Sequence, residues 1–164
     1  RPTGPIPHAL LLILGTTAKA TLAFDKHMPP EVPRIALVDT FEDEVRESVT
    51  VAKAMQGRLQ GVRLDTPSER GRVTADLVKE TRAWLDLEGF KEVQIVVSGG
   101  LDPERIRYFI SEGAPMDIFA VGSYISDTKP IDFTADLHEV EGQSIAKRGR
   151  TPGITPSPRL KRVM

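Results

Sequence analysis

The sequence predicts an α/β fold built as a parallel βα repeat, of the kind that forms part of a TIM-like barrel. Four short apolar runs support this prediction, and each ends in a polar or glycine cluster: Arg34–Asp39, Gly61–Asp65, Val93–Gly100 and Asp117–Ser123. The runs recur at intervals of roughly 24 to 32 residues with helical patterns between them, as right-handed βαβ crossovers require. Such apolar runs are typical of parallel strands covered by helices, and barrels place their chemistry where the strands end.

Two helices are predicted before the first strand. His8–Leu14 fits a short buried helix, and Thr17–His27 fits a second helix that ends before Pro29, because a residue that precedes proline is pushed out of the α region. The chain begins in a Pro/Gly loop without an initiator Met, and four strands cannot close an eight-stranded barrel. Either the remaining strands lie upstream or the fold is an open half-barrel, and we expect a C-terminal fragment.

Amphipathic patterns connect the strands. The first runs from about Glu42 to Gln56, and the second spans Val73–Glu88 with Trp84 on its apolar side. The third opens with Asp102 at the N-cap position and is expected to bury an apolar stripe of Ile106, Phe109 and Ile110. The strands are predicted at Arg34–Val38, Gly61–Leu64, Val93–Val97 and Asp117–Val121.

The pattern changes at residue 132, so we divide the chain into a partial α/β barrel with phosphate-binding loops at 1–131 and a second segment at 132–164. Asp136–Val140 and Ser144–Lys147 predict a small β-hairpin around a Glu141-Gly142 turn. Past Glu141 the chain has basic residues and prolines but no acidic residue. We expect this basic, Pro-rich tail to be extended and to contact a neighbouring subunit.

Composition excludes several function classes. The chain has 164 residues, of which 40% are hydrophobic, enough for a sizeable core. The net charge of −1 favours neither nucleic acid nor an anionic membrane as a partner. The lack of cysteine excludes disulfides and thiolate chemistry, and no apolar run approaches the ~20 residues of a membrane span. We expect a cytoplasmic protein with neither partner.

Two glycine-containing loops follow the last two predicted strands. Ser98, Gly99 and Gly100 come after the third strand, and Gly122 and Ser123 come after the fourth. Glycine lets backbone N–H groups approach an anion closely, and these are the loops that usually bind phosphate in barrels. A single Gly-Gly pair would be explained by a tight turn, but two adjacent loops favour a phosphate site.

Charged residues accompany the first two strands. Arg63 lies inside an apolar strand, where it must hold an anion or pair with Asp39 or Asp65. Asp39 and Asp65 end adjacent strands, so their carboxylates should lie on one rim. They could hold Mg²⁺ through water, bind ribose hydroxyls or stabilise positive charge on a sugar carbon. The alternative is that each caps the next helix.

Among the three histidines, only His8 has a context that suggests a function. It follows a Pro-rich loop and begins a helix, so its imidazole is expected to face the rim. His27 and His138 are expected at the surface, because neither has a partner at the spacing of a metal site. The chain contains no nucleotide P-loop and no Gly-x-Gly-x-x-Gly motif, and we assign no metal-ligating residues.

Five segments, in order, resemble the C-terminal barrel half of nicotinate phosphoribosyltransferases. They are Pro7–Leu10, Leu37–Thr40, Gly61–Thr66, Val97–Asp102 and Phe119–Ser123. The continuation Asp65-Thr66-Pro67-Ser68 is similar to the archaeal-type branch, whereas many members have Asp-Ser-Gly-Asp there. The resemblance runs from His8 to about Arg150 and implies a TIM-like barrel of the type II phosphoribosyltransferase kind.

The resemblance implies transfer of phosphoribose from phosphoribosyl pyrophosphate (PRPP) to nicotinate, which gives nicotinate mononucleotide for NAD biosynthesis. ATP is then a co-substrate that phosphorylates His8, and we expect Mg²⁺ as cofactor and a homo-oligomer. We assign catalytic roles to His8 and Asp65 and substrate binding to Arg63, Asp39 and Thr66. The 5′-phosphate is assigned to Ser98, Gly99, Gly100, Gly122 and Ser123.

Other functions compete with this interpretation. One is a non-catalytic phosphate-binding half-barrel, either a degenerate paralogue or a fragment that needs a partner chain. Quinolinate phosphoribosyltransferase shares the barrel but should need more basic residues for a second carboxylate, and the His8 motif argues against it. An unrelated barrel aldolase or isomerase would want a lysine or glutamate at a strand end, and none of the four strands ends in one.

Overall fold

A computed structural model of the chain describes residues 6–127 and 136–159. The chain divides into two compact units, residues 1–128 and 129–164. The boundary predicted at residues 131 and 132 lies outside the described residues.

The first unit alternates helices with the strands of one parallel sheet. The strands pair in sequence order, β1-β2-β3-β4, which confirms the predicted parallel βα repeat. The elements are α1 (His8–Leu14), α2 (Thr17–His27), β1 (Ile35–Leu37), α3 (Glu44–Met55), β2 (Gly61–Leu64), a 3₁₀ helix (Ser68–Arg70), α4 (Ala75–Leu87), β3 (Gln94–Val97), α5 (Pro103–Ser111), β4 (Ile118–Phe119) and α6 (Ser123–Ser126).

The strands separate two faces of the sheet. Val62 and Leu64 of β2 belong to the main core, together with apolar side chains of α3, α4 and α5. Because successive side chains of a strand point to opposite faces, Arg63 lies on the face away from that core. This alternation places the guanidinium where the interior of a barrel would be.

The first two helices cover the edge of the sheet next to β1. Leu37 is buried in a second apolar cluster with Ile6, Leu11 and Ala20, separate from the main core. This packing fixes α1 against β1 and brings its first residue, His8, to the carboxyl end of that strand.

Side-chain caps explain where the helices begin. Asp43 accepts hydrogen bonds from the N–H groups of Val45 and Arg46, so α3 begins at Glu44 rather than at the predicted Glu42. Thr74 caps α4 in the same way, and its first residue is therefore Ala75 rather than Val73. The predicted N-cap Asp102 is confirmed, since its carboxylate accepts from the N–H of Arg105 at 2.8 Å.

Three expectations about the outer helices and the last strand are wrong. Trp84 of α4 and Ile110 of α5 are exposed, because each helix buries a narrower stripe than its periodicity suggested. Phe109, which was predicted for the same stripe, is fully buried. The fourth strand is limited to Ile118–Phe119, the two residues that pair with β3, rather than Asp117–Val121.

The second unit contains the predicted hairpin. Strands β5 (Glu139–Val140) and β6 (Gln143–Ser144) are antiparallel. The turn residues Glu141 and Gly142 have φ of 49° and 78°, as the commonest two-residue hairpin turn requires. Each of these two strands is shorter than the strand predicted from the sequence. In the described residues of both units, no helix has the length and apolar character to cross a bilayer.

Candidate active site at the strand ends

The carboxyl ends of the four parallel strands form one edge of the sheet, and two adjoining cavities lie along it. The larger, about 650 Å³, is lined by residues that include His8, Asp39 and Arg72. The smaller, about 320 Å³, is lined by residues that include Arg63 and Gly122. The wall between the two cavities is shared, and it is formed by Asp65, Gly99 and Gly100.

All ten predicted site residues line one of these cavities or both. They are His8, Asp39, Arg63, Asp65, Thr66, Ser98, Gly99, Gly100, Gly122 and Ser123. The structure therefore places the predicted residues together at one edge of the sheet, and their individual roles remain predictions.

Arg63 is held by three partners at the wall of the smaller cavity. Its Nη1 atom donates to Asp65 Oδ2 at 3.1 Å and lies 3.5 Å from Ser98 Oγ, and its Nη2 donates to the carbonyl of Ile6 at 3.3 Å. The Arg63 and Asp65 side chains are only 16% and 22% exposed. The ion-pair alternative is therefore realised with Asp65 and not with Asp39.

Ser98 completes this network from the next strand. Its hydroxyl lies 2.8 Å from Asp65 Oδ1 and 3.0 Å from the carbonyl of Leu64, so the second carboxylate oxygen is also hydrogen-bonded. A carboxylate fixed by a guanidinium and a hydroxyl keeps one orientation. Asp65 thus presents a fixed negative charge between the two cavities.

His8 and Asp39 form a second pair across the larger cavity. The Nε2 atom of His8 lies 3.1 Å from each carboxylate oxygen of Asp39. Because an ionised carboxylate only accepts hydrogen bonds, Nε2 is assigned the ring proton. The Asp39 side chain is 2% exposed and the His8 ring is half-exposed, so the carboxylate orients an imidazole that faces the cavity.

The helix-capping alternative is wrong for both aspartates. The side chain that caps α3 is Asp43, not Asp39. The 3₁₀ helix after β2 is preceded by Pro67 and has no side-chain cap, so Asp65 does not serve there. Both carboxylates are directed to the strand-end site instead.

His8, Asp39 and Asp65 also form a group that could hold a cation. One potential ligand atom from each residue lies within 4.8 Å of the other two. The buried hydroxyl of Thr40, which lines the same cavity, has no hydrogen-bond partner among residues 6–127 and 136–159. The sequence analysis weighed Asp39 and Asp65 for Mg²⁺ without assigning a metal site, and it could not place His8 beside them, because His8 meets Asp39 only through the packing of α1 on β1.

The glycine loops expose backbone donors. Gly99 and Gly100 have φ of 88° and 59°, a conformation that favours glycine. A Cβ atom on Gly99 would lie 3.1 Å from Asp65 Oδ1, so glycine is also needed for this close approach. Within the described part of the chain, the N–H groups of Gly99, Gly100 and Gly122 form no backbone hydrogen bond. Such donors are suited to phosphate oxygens.

The loop after β2 contributes Thr66, which was predicted, and Arg72, which the sequence analysis missed. The hydroxyl of Thr66 donates to the buried Glu44 carboxylate at 2.8 Å, and Arg70 lies 3.6 Å from the same carboxylate. Thr66 lines the cavity, but its hydroxyl is committed to holding this loop. Arg72 lines the cavity as well, and the Gly71-Arg72 pair that follows the strand was the signal that could have found it.

Glu69 adds a third negative charge to the larger cavity. Its own backbone N–H and the hydroxyl of Ser68 lower the pKa of this carboxyl, because both donate hydrogen bonds that favour the charged form, and the positive charge of Arg72 also lowers it. Asp39, Asp65 and Glu69 thus make the larger cavity predominantly acidic.

Comparisons with known proteins agree with this architecture. The family described as quinolinate phosphoribosyl transferase, C-terminal domain, matches residues 3–136. The crystal structure of nicotinate-nucleotide pyrophosphorylase from Pyrococcus furiosus is similar with a TM-score of 0.74 and 45% identity, over 94% of this chain and 39% of that chain. This similarity confirms a fold of the type II phosphoribosyltransferase kind.

Two curated relatives are named nicotinate phosphoribosyltransferase. The chain is 29% identical to a nicotinate phosphoribosyltransferase of Mycobacterium tuberculosis, over 88% of this chain and 31% of the relative. It is 30% identical to a nicotinate phosphoribosyltransferase of Bacillus subtilis, over 71% of this chain and 24% of the relative. The chain thus spans about a third or less of the length of these relatives. Since the family match extends over most of the chain, the protein belongs to the type II phosphoribosyltransferases, in the family of the quinolinate phosphoribosyl transferase C-terminal domain.

Proposed function

We propose that this chain forms the phosphoribosyl-binding part of a nicotinate phosphoribosyltransferase, which joins PRPP and nicotinate to give nicotinate mononucleotide and pyrophosphate. The names of the curated relatives support this choice of substrate. The observation on which the proposal chiefly rests is the Arg63–Asp65–Ser98 network, which lies between two glycine loops at one strand edge.

In this proposal the smaller cavity holds the 5′-phosphate of the ribose. The N–H groups of Gly99, Gly100 and Gly122 donate to phosphate oxygens, and Ser123 lies beside them. Arg63 adds positive charge at the wall of the same cavity. Binding the phosphate in this way fixes the position of the sugar, so its C1 atom can lie over the shared wall near Asp65.

Displacement at C1 develops positive charge on the sugar while the bond to pyrophosphate breaks. A negative group that is already oriented stabilises such charge without reorganisation during the reaction. Asp65 is suited to this role because Arg63 and Ser98 fix both of its oxygens. Nicotinate attacks through its ring nitrogen, and the electron pair of the broken bond leaves with pyrophosphate.

The acidic group of the larger cavity fits Mg²⁺. This ion prefers oxygen ligands and is commonly bound through one or two carboxylates plus substrate phosphates. Asp39 and Asp65 supply the carboxylates, and the unpartnered hydroxyl of Thr40 is a further oxygen at the same wall. When bound there, Mg²⁺ would supply positive charge that neutralises the phosphate oxygens of the substrate.

We further propose that ATP phosphorylates His8. Since Nε2 is assigned the ring proton and donates to Asp39, the lone pair of Nδ1 remains for attack on the γ-phosphorus. The new N–P bond forms as the bond to ADP breaks, and Asp39 stabilises the positive charge that the imidazole acquires. Its burial against α1 makes Asp39 a fixed partner for this step.

Quinolinate is a second candidate for the pyridine substrate. The matching family bears that name, so the match does not support the exclusion of a quinolinate-type enzyme. A dicarboxylate would need one more cation than nicotinate, and Arg72 is a cation that sequence reasoning did not count. The two candidates differ in the pyridine substrate that they accept, and an assay of pyrophosphate release with each substrate distinguishes them.

The test is pyrophosphate release from PRPP by the purified protein, with nicotinate or quinolinate, with and without ATP. We expect release with nicotinate, stimulated by ATP, and an Arg63→Ala variant at least about tenfold slower, since a hydrogen bond to a charged group typically contributes about 1.5–3 kcal/mol. Release with quinolinate alone would favour the second candidate. PRPP binding without release would favour a non-catalytic phosphate-binding half-barrel.

A further inference from the structure

Arg72 is a cation in the lining of the larger cavity, and the proposed transfer to nicotinate assigns it no role. Among residues 6–127 and 136–159 its guanidinium has no hydrogen-bond partner and no carboxylate at ion-pair distance, whereas Arg63 and Arg70 on the same edge each pair with a carboxylate. Its positive charge acts on the nearby Glu69 carboxyl, whose pKa it helps to lower. A guanidinium that faces a cavity with its N–H groups not hydrogen-bonded is suited to hold an anion, because its planar set of donors matches phosphate oxygens.

The backbone holds Arg72 in place by an uncommon conformation. Its φ is 65°, in the left-handed region that residues with a Cβ rarely adopt. Its N–H donates to the carbonyl of Pro67 at 3.1 Å, which closes the loop that leaves β2. Backbone strain of this kind concentrates at functional sites.

Gly100 is the surface on which this guanidinium lies. A Cβ atom on Gly100 would be 2.3 Å from Arg72 Nη1, so a larger residue there would displace the guanidinium. The glycine also belongs to the wall shared by the two cavities. Arg72 is therefore next to the bound sugar of the proposed reaction, on the side away from the 5′-phosphate.

The other charges of the larger cavity decide which anion fits. Asp39, Asp65 and Glu69 are acidic, and His8 is the remaining titratable group. A bare anion would be repelled by these carboxylates, whereas an anion that brings its own divalent cation would not. Asp39 and Asp65 lie close enough to bind that cation, and a diphosphate group both chelates Mg²⁺ and carries charge for Arg72.

We propose that Arg72 binds the diphosphate group of PRPP in the larger cavity, while the glycine loops hold the 5′-phosphate in the smaller one. This inference rests on the proposed function. As the bond between C1 and the diphosphate oxygen breaks, its electron pair passes to that oxygen and nicotinate nitrogen bonds to C1. Arg72 then stabilises the negative charge of the leaving pyrophosphate. ATP carries a diphosphate group too, so the test separates these two sources.

The test compares an Arg72→Gly variant with the wild type by calorimetric titration in Mg²⁺. Glycine suits the left-handed backbone, so we expect the unfolding midpoint to be kept or raised. The dissociation constants for pyrophosphate and PRPP should rise about tenfold or more, and that for ribose 5-phosphate should change by less than about twofold. Arg107→Ala, which removes an exposed arginine of α5 outside both cavities, is the control and should change none of them.

The outcomes separate this inference from the proposed function. Equal pyrophosphate affinity in wild type and Arg72→Gly, with PRPP still bound, overturns the role of Arg72 alone. An equal loss for ribose 5-phosphate and pyrophosphate also overturns it, because the effect would then not be confined to the diphosphate. If Arg72→Gly weakens the binding of ATP but not that of PRPP, Arg72 serves ATP and the inference is overturned. A wild type that binds neither PRPP nor pyrophosphate overturns the proposed function as well.

Discussion

Replacing Arg63 by Ala tests whether the pair with Asp65 matters for folding, for substrate, or for both. The variant leaves the Asp65 carboxylate with the Ser98 hydroxyl as its remaining side-chain partner. Because the Arg63 and Asp65 side chains are only 16% and 22% exposed, water replaces the lost partner incompletely. Leaving such a group under-satisfied costs about 1–3 kcal/mol, and we expect the free energy of unfolding to fall by that amount.

A matched control is available on the surface. Arg46 pairs with Glu42 at 3.1 Å, but the two side chains are 75% and 51% exposed. Exposed pairs contribute about 0–1 kcal/mol, so Arg46→Ala should lower stability by less than Arg63→Ala. Urea unfolding followed by circular dichroism measures both, with the slopes compared to establish two-state behaviour.

The same pair of variants separates structure from substrate binding. If Arg63 contacts the phosphoribosyl group, Arg63→Ala should also weaken PRPP binding by about tenfold or more, while Arg46→Ala should not. Lost stability with unchanged PRPP affinity would show that the ion pair only holds the strand end. If Arg63→Ala is no less stable than Arg46→Ala and binds PRPP normally, the reasoning from burial is refuted.

Three further predictions concern other parts of the molecule. Phe109 is fully buried in the main core, so Phe109→Ala should destabilise the fold by about 3–5 kcal/mol in urea unfolding, and a loss under 1 kcal/mol would contradict that packing. Hydrogen bonds from Arg34 and then Arg58 lower the pKa of Asp25, so its stabilisation is present above its unfolded pKa of about 4 and is lost as pH falls through the lower folded pKa. Unfolding midpoints should therefore fall more steeply below pH ~4 in the wild type than in Asp25→Asn. Asp39→Asn should reduce ATP-dependent ³²P labelling of His8 by about tenfold or more, since a neutral amide no longer stabilises the charged imidazole, and equal labelling would contradict the pairing.

Local patterns predicted the repeating architecture because they depend on neighbours in sequence. The apolar run Gly61–Leu64 is a strand with the predicted bounds, and Asp102 caps α5 as its sequence context indicates. The starts of α3 and α4 were misplaced by two residues, because apolar periodicity does not show which side chain caps a helix, as Asp43 and Thr74 do. Trp84 was misplaced because periodicity gives the direction of a stripe but not the depth to which neighbouring helices cover it.

The location of the site was predictable, whereas its contacts were not. Parallel strands end at one edge, so Asp39 and Asp65 could be placed together from sequence alone. That Arg63 pairs with Asp65 rather than Asp39 is a tertiary contact, and Asp39 is instead bound by His8 of α1. Arg72 was missed because its place against a glycine of another loop depends on how the chain turns after β2.

The central claim is that the glycine loops at the strand ends seat the phosphate of a phosphoribosyl group. The most direct measurement is an NMR titration of the ¹⁵N-labelled protein with ribose 5-phosphate. We expect saturable shifts of the Gly99, Gly100, Gly122 and Ser123 amide signals with one shared dissociation constant, and a much weaker response in Arg63→Ala. Amide signals that stay fixed at these loops, while the ligand binds elsewhere or does not bind, would contradict this claim.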